Sequence, residues 1–233
     1  PTVNLGTGRT ATAISAGYYH SCALLDNASV KCWGLNDYGQ LGIDNTTTMG
    51  DGSGEMAVLP TVNLGTGRTA TAISAGYRHN CALLDNGYVK CWGRNTYGQL
   101  GIDNNTTMGN NTGEMGDNLP VVNLGTGRTA TAIAAGNLHT CALLDNASVK
   151  CWGWNDYGQL GIDNTNNMGD NSSEMAVLPT VNLGTGRTAT AIDAGGYHSC
   201  ALLDNASVKC WGYNKYGQLG IGNKTNMGDN TGE

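Results

Sequence analysis

The residues able to do chemistry in this chain recur at fixed intervals. Eight cysteines fall into four C-x9-C pairs: Cys22 with Cys32, Cys81 with Cys91, Cys141 with Cys151, and Cys200 with Cys210. Zinc knuckles usually set two sulfurs two residues apart at one tight turn, so nine intervening residues argue against a metal. They match a hairpin. With Asp26, Asn27 and Ala28 as its loop, position 22 faces 32 and 24 faces 30, whereas a two-residue loop would put the sulfurs on opposite faces. Four cross-strand disulfides are expected, each worth roughly 3 kcal/mol by loop closure. Such cysteine usage implies an oxidising compartment, extracellular or at the cell surface.

A histidine stands two positions before each pair: His20, His79, His139 and His198. Four imidazoles on a ring would suit a metal, but a spacing of 59 to 60 residues gives no local chelate. The plainer reading has each ring tie its loop to backbone carbonyls. Oxygen donors gather in a third place, the glycine-rich segment from Asp44 to Glu55 and its analogues. Asp44, Asp51, Glu55, Asp103, Glu114, Asp163, Asp170 and Glu174 are the candidate calcium ligands, and calcium is the only cofactor the chain calls to mind. The segment lacks the D-x-D-x-D-G order, and Gly222 and Asn110 replace acids in two copies, so a solvated turn is the competing account. No nucleophile and base recur together: Ser21 beside His20 becomes Asn80 and Thr140. The chain is expected not to be an enzyme, since catalysis would need a site assembled across several units, to which no residue points.

These residues sit in a repeat. The stretch from Cys22 to Gly42 returns at Cys81, Cys141 and Cys200, dividing one repeat domain into units 1–59, 60–119, 120–178 and 179–233. Gly reaches 36 of 233 residues, Phe is absent and only 13% of residues are charged, yet Trp, Leu, Ile and Val recur, which fits a turn-rich all-β protein. Each unit opens with a P-x-V-N-L strand, Pro1 to Leu5 in the first. A G-T-G-R turn and a small-residue strand, Thr10 to Ala16, follow, the latter suited to crowding against a central axis. The cysteine hairpin and Trp-Gly come next, then a polar return loop. Four antiparallel strands per unit make a propeller blade. No apolar run approaches eighteen residues, so no membrane insertion is expected.

The pattern G-x-x-H-x-C-A-L-L-D-N-x-x-V-K-C-W-G-x-N-x-x-G-Q-L-G resembles the repeat of the RCC1 (regulator of chromosome condensation) superfamily, most closely its cysteine-paired version in secreted bacterial proteins. The resemblance implies a β-propeller, usually of seven blades, where this chain has four. The expectation is therefore a closed ring, part of a larger ring, or a head-to-tail assembly. It also implies nucleotide exchange on a small GTPase or chromatin binding. The paired cysteines point away from both, and the net charge of -6 leaves no basic footprint for nucleic acid.

Strand count bears on assembly. The first three hairpins are each followed by a strand led by Pro60, Pro120 or Pro179, but the fourth has no such successor. Residues 1–5, of the same chain or a neighbouring copy, are expected to complete it, which makes self-association the expected alternative to a solitary binding module.

The four units differ at few places. Before the hairpin they read Tyr18-Tyr19, Tyr77-Arg78, Asn137-Leu138 and Gly196-Tyr197; after Trp-Gly they read Leu35, Arg94, Trp154 and Tyr213, then Asp37, Thr96, Asp156 and Lys215. In a four-stranded antiparallel blade the first and third connections emerge on one face. Tyr18, Tyr19, Leu35, Tyr77, Arg78, Arg94, Leu138, Trp154, Tyr197 and Tyr213 are therefore the candidate ligand-binding residues, for a protein or a glycan, against the plainer reading of drift in exposed loops.

Overall fold

The computed structural model describes all residues, 1–233. Each repeat forms one antiparallel sheet. The first holds β1 (Ala11–Ala16), β2 (His20–Leu25) and β3 (Val30–Gly34); the second β4 (Ala70–Ala75), β5 (His79–Leu84) and β6 (Val89–Gly93). The third holds β7 (Ala130–Ala135), β8 (His139–Leu144) and β9 (Val149–Gly153), and the fourth β10 (Ala189–Ala194), β11 (His198–Leu203) and β12 (Val208–Gly212). Sheet order follows chain order throughout.

The hairpin register is the one that loop parity requires. Cys22 faces Cys32 and Leu24 faces Val30. Ala28 closes the loop in the left-handed region, φ 61°, donating its N–H to Leu25. All four disulfides form, with Cα separations of 4.0 to 4.1 Å.

The expected fourth strand is reduced to a single ladder bond. Val62 N–H donates to the Val30 carbonyl at 2.8 Å, and Val122 and Val181 repeat this to Val89 and Val149. Pro60 has no N–H to offer. Asn63 folds its side-chain oxygen back onto the Gly65 N–H at 3.1 Å and turns the chain away. The sheets are therefore three-stranded, with an outer segment latched at one valine. Two further details lie in the return loop. Gly34 and Met49 exchange backbone bonds, and single helical turns form at α1 (Glu55–Val58) and α2 (Glu174–Val177), where the sequence shows no helical period.

The cores lie between blades. In each, the disulfide and apolar residues of one blade meet the outer segment, sheet and tryptophan of the next: Cys22, Val30 and Leu41 pack with Val62, Leu84 and Trp92. The same set recurs between the second and third blades and between the third and fourth. Burying each such aliphatic side chain contributes about 1.5–3 kcal/mol. Four blades thus share three cores, and the arc does not close. Residues 1–5 leave the last blade uncompleted: Val3 is 50% exposed and Val208 66%.

The inner strands do line the axis. The Ala-Gly ends of all four, Ala16-Gly17, Ala75-Gly76, Ala135-Gly136 and Ala194-Gly195, surround one opening. Small residues are required there, because a Cβ on Gly76 would lie 2.3 Å from the Gly136 carbonyl oxygen.

Candidate binding face

Within every blade, a backbone bond ties the two variable loops together. Leu35 N–H donates to the Tyr19 carbonyl, Arg94 to Arg78, Trp154 to Leu138 and Tyr213 to Tyr197, at 2.8 to 3.0 Å. The variable positions therefore share one face of the arc.

On that face the side chains form a continuous belt. In the first two blades, Tyr18, Tyr19 and Tyr77 stack at centroid distances of 4.6 to 5.9 Å. The Arg78 guanidinium lies over Tyr19, Tyr38 and Tyr77 and forms an ion pair with Asp37 across the blade boundary. Arg94 continues the belt over Tyr38 and Tyr97. Trp154 of the third blade meets Tyr97 of the second as well as Tyr157 and Tyr197, and Tyr213 of the fourth meets Tyr157, Tyr197 and Tyr216. Tyr18, Tyr77, Arg94, Leu138 and Tyr197 also border a shallow cleft of about 390 Å³. Of the expected ligand-binding residues, Leu35 and Leu138 make none of these ring contacts: Leu138 borders the cleft and Leu35 contributes its backbone bond.

Sequence reasoning missed four members. Tyr38, Tyr97, Tyr157 and Tyr216 recur in every repeat, so a search for variable positions passes them over. Their signal was the fixed N-x-Y-G-Q-L-G spacing. Buried Asn36 explains that spacing: its amide donates to the Asn45 and Thr47 carbonyls while its oxygen accepts the Leu41 N–H. Gln40 accepts the Tyr38 N–H at 2.8 Å. The loop carrying each tyrosine is thus clamped from inside.

The histidines do something different from the two readings of the sequence. His20, His79 and His139 are buried at the blade boundaries, and each Nε2 bonds a side chain of the next blade: Asn80 Oδ1 at 3.0 Å, Thr140 Oγ1 at 3.0 Å and Ser199 Oγ at 2.9 Å. The partner is a side chain, not a backbone carbonyl, and Nδ1 of each has none. Burial pushes the pKa of His79 and of His139 down to about 3, with neighbouring imidazoles adding to the effect.

The carboxylates of the return loop are engaged by amides. Glu55 Oε2 accepts the Gly50 and Gly52 N–H groups at 2.7 and 2.8 Å, and these backbone bonds hold its carboxyl below the usual range. Glu114 and Glu174 accept the corresponding backbone N–H groups in their repeats. Asp44 and Asp103 reach the following repeat, accepting the Met115 and Met175 N–H groups at 2.9 and 2.8 Å. Asp51 is exposed. Asp163 accepts from Gly232 at 3.2 Å, and burial beside Glu174 raises Asp170. No three acidic, His or Cys side chains come close enough to share a metal ion, and a cation here would face amide donors as well as oxygen.

Comparison with known proteins fits this geometry. The description "Regulator of chromosome condensation (RCC1) repeat" matches residues 29–83, 86–143 and 148–202, and a second form of it matches 11–40, 70–99, 130–159 and 189–218. The chain belongs to the RCC1-repeat family. Its four disulfides fit the cysteine-paired type. The ultraviolet-B receptor UVR8 of Arabidopsis thaliana is 28% identical over 214 residues, which is 90% of this chain and 43% of the receptor. The probable E3 ubiquitin-protein ligase HERC4 of Homo sapiens is 31% identical over 215 residues, 91% of this chain and 18% of that protein. The chain thus spans less than half the length of either relative. Among solved structures, Prp20p of Saccharomyces cerevisiae, described with its binding to Gsp1p and histones, superposes with a TM-score of 0.71 at 20% identity, covering 95% of this chain and 50% of Prp20p. No helix of this RCC1-repeat chain is long and apolar enough to cross a membrane.

Proposed function

We propose that this chain is a non-enzymatic binding module, extracellular or at the cell surface, that holds a protein ligand on the loop face of its blades. The observation that carries the reading is the belt itself. Tyrosine, tryptophan and arginine, the residue types that dominate binding hot spots, lie edge to edge across four blades on loops fixed by backbone bonds. A rigid aromatic platform loses little side-chain entropy on binding. The RCC1-repeat protein Prp20p is described with protein partners, which supports a protein ligand. The four disulfides support the oxidising compartment.

The test replaces Tyr19, Arg94, Trp154 and Tyr213 together by alanine. Circular dichroism and the unfolding midpoint are expected to stay close to those of the parent chain, because the belt lies outside all three cores. Affinity for a protein isolated on the parent chain should fall more than about a hundredfold, as loss of two hot-spot residues alone would produce. Unchanged affinity refutes the reading, and a ligand released by glycosidase treatment would assign the face to a glycan.

A further inference from the structure

Every blade boundary in the chain is built from two different half-surfaces. Between the third and fourth blades, the leading blade supplies His139, the Gln159 carbonyl and the Val149 carbonyl. The following blade supplies Ser199 and Trp211, with Val181 in the connecting segment. Ser199 Oγ meets His139 Nε2 at 2.9 Å and donates to the Gln159 carbonyl at 3.0 Å. Trp211 Nε1 donates to the same carbonyl at 3.0 Å, and Val181 N–H to Val149 at 2.8 Å. Trp211 also fills a slot that only glycine leaves open, since a Cβ on Gly161 would lie 2.8 Å from its Nε1.

The two ends of the arc carry these same halves without their partners. At the tail, His198 has no bond on Nε2, the Gln218 carbonyl accepts nothing, and the space around Gly220 is open, where Gly42, Gly101 and Gly161 each face a tryptophan. Val208 is 66% exposed, whereas Val30, Val89 and Val149 are 0% exposed. At the head, Trp33 and Ser21 are only half-buried, while Trp92, Trp152, Thr140 and Ser199 are fully buried, and Val3 and Ile14 stand open to solvent. Residue for residue, head and tail reproduce the boundary between the third and fourth blades: His198 for His139, Gln218 for Gln159, Val208 for Val149, Ser21 for Ser199, Trp33 for Trp211 and Val3 for Val181. One contact would be missing. Asp163 accepts the Gly232 N–H, and its successor Gly222 has no carboxylate.

We infer that a second copy of this chain docks head to tail on the first, seating Trp33 against Gly220 and the Gln218 carbonyl and latching Val3 to Val208. The inference goes beyond the binding-face reading, because these surfaces are the flanks of the end blades and leave the loop face free. It also goes beyond pairing of residues 1–5 alone, since a whole core would form. Different halves on the two ends make the contact heterologous, and two copies can satisfy both ends at once.

Light scattering coupled to size exclusion should find twice the 24.2 kDa chain mass. Trp33→Arg spoils only the head and Val208→Glu only the tail; each chain alone should run at the monomer mass. An equimolar mixture should regain a dimer through its one intact head–tail pair, which a self-complementary patch would not do. Val208→Glu sits at an exposed strand position, so it keeps the test sound should Trp33→Arg fail to fold. A monomeric parent chain, whether open or closed on itself, overturns the inference, and so does a dimer that either variant leaves intact.

Discussion

Acid should unfold this protein through two histidines. His79 and His139 are fully enclosed at successive blade boundaries, and each has a folded pKa of about 3 against an ordinary 6.5. A protonated ring would need an acceptor at both nitrogens, yet Nδ1 of each faces none. Because the folded value lies below the unfolded one, the stabilisation is complete above about pH 6.5 and is lost as pH falls towards 3. At pH 5 the unfolded histidine is almost fully protonated and the folded one almost wholly neutral. Relative to pH 7, that difference costs about 2 kcal/mol per histidine, or about 4 kcal/mol for the pair. Urea unfolding followed by tryptophan fluorescence at pH 7, 6 and 5 reads this directly. A His79→Gln/His139→Gln chain, which keeps a side-chain amide but cannot titrate, should be less stable at pH 7 and should lose most of the slope between pH 7 and 5. Carboxylates titrate in both proteins, so the comparison isolates the histidines. Parallel stability curves for parent and variant would refute the argument.

Two further outcomes follow from the hairpins. Ala147 closes its loop at φ 61° where the second repeat has Gly87 at φ 78°; Ala147→Gly should raise stability by about 0.5–1 kcal/mol, the left-handed penalty of alanine offset by the greater freedom of unfolded glycine, and a lower urea midpoint would contradict it. Removing the buried bridge at Cys141 and Cys151 by a double alanine substitution should lower stability by roughly 3 kcal/mol, and non-reducing peptide mapping of the parent should link each cysteine to its hairpin partner, with free thiols overturning the compartment assignment.

Much of the fold was legible because one physical constraint controlled each feature. Loop parity puts Cys22 opposite Cys32, and the run of small residues from Thr10 to Ala16 suits a strand crowded against an axis. The outer strand was overcounted because β propensity in P-T-V-N-L is local, while its shortening arises from the missing N–H of Pro60 and the turn at Asn63. The histidines were misread for a related cause. Their partners, Asn80, Thr140 and Ser199, lie 60 or 61 residues away in the next blade, and a contact at that range leaves no pattern within one repeat. Of the candidate site, the variable half was found by comparing repeats. The constant tyrosines escaped because recurrence looks like structure.

That division has a physical meaning. Tyr38 and its three counterparts are held by Asn36-type and Gln40-type clamps, which recur unchanged and bury their polar groups at 0% exposure in the first three repeats. A clamped loop cannot drift, so each blade presents one aromatic ring at a fixed place, whatever stands beside it. The neighbours then decide what the ring can recognise. Arg78 and Arg94 make the first half of the belt cationic over its rings, with Asp37 offsetting part of that charge, whereas Trp154, Tyr157 and Tyr197 make the second half mainly edge-packed aromatic, with Lys215 over Tyr216 at its end. If the belt is the binding face proposed above, the ligand expected for it carries an acceptor-rich or acidic segment beside an apolar one. Four nearly identical repeats, folded by nearly identical cores, become a directional surface through about a dozen side chains that the cores do not constrain.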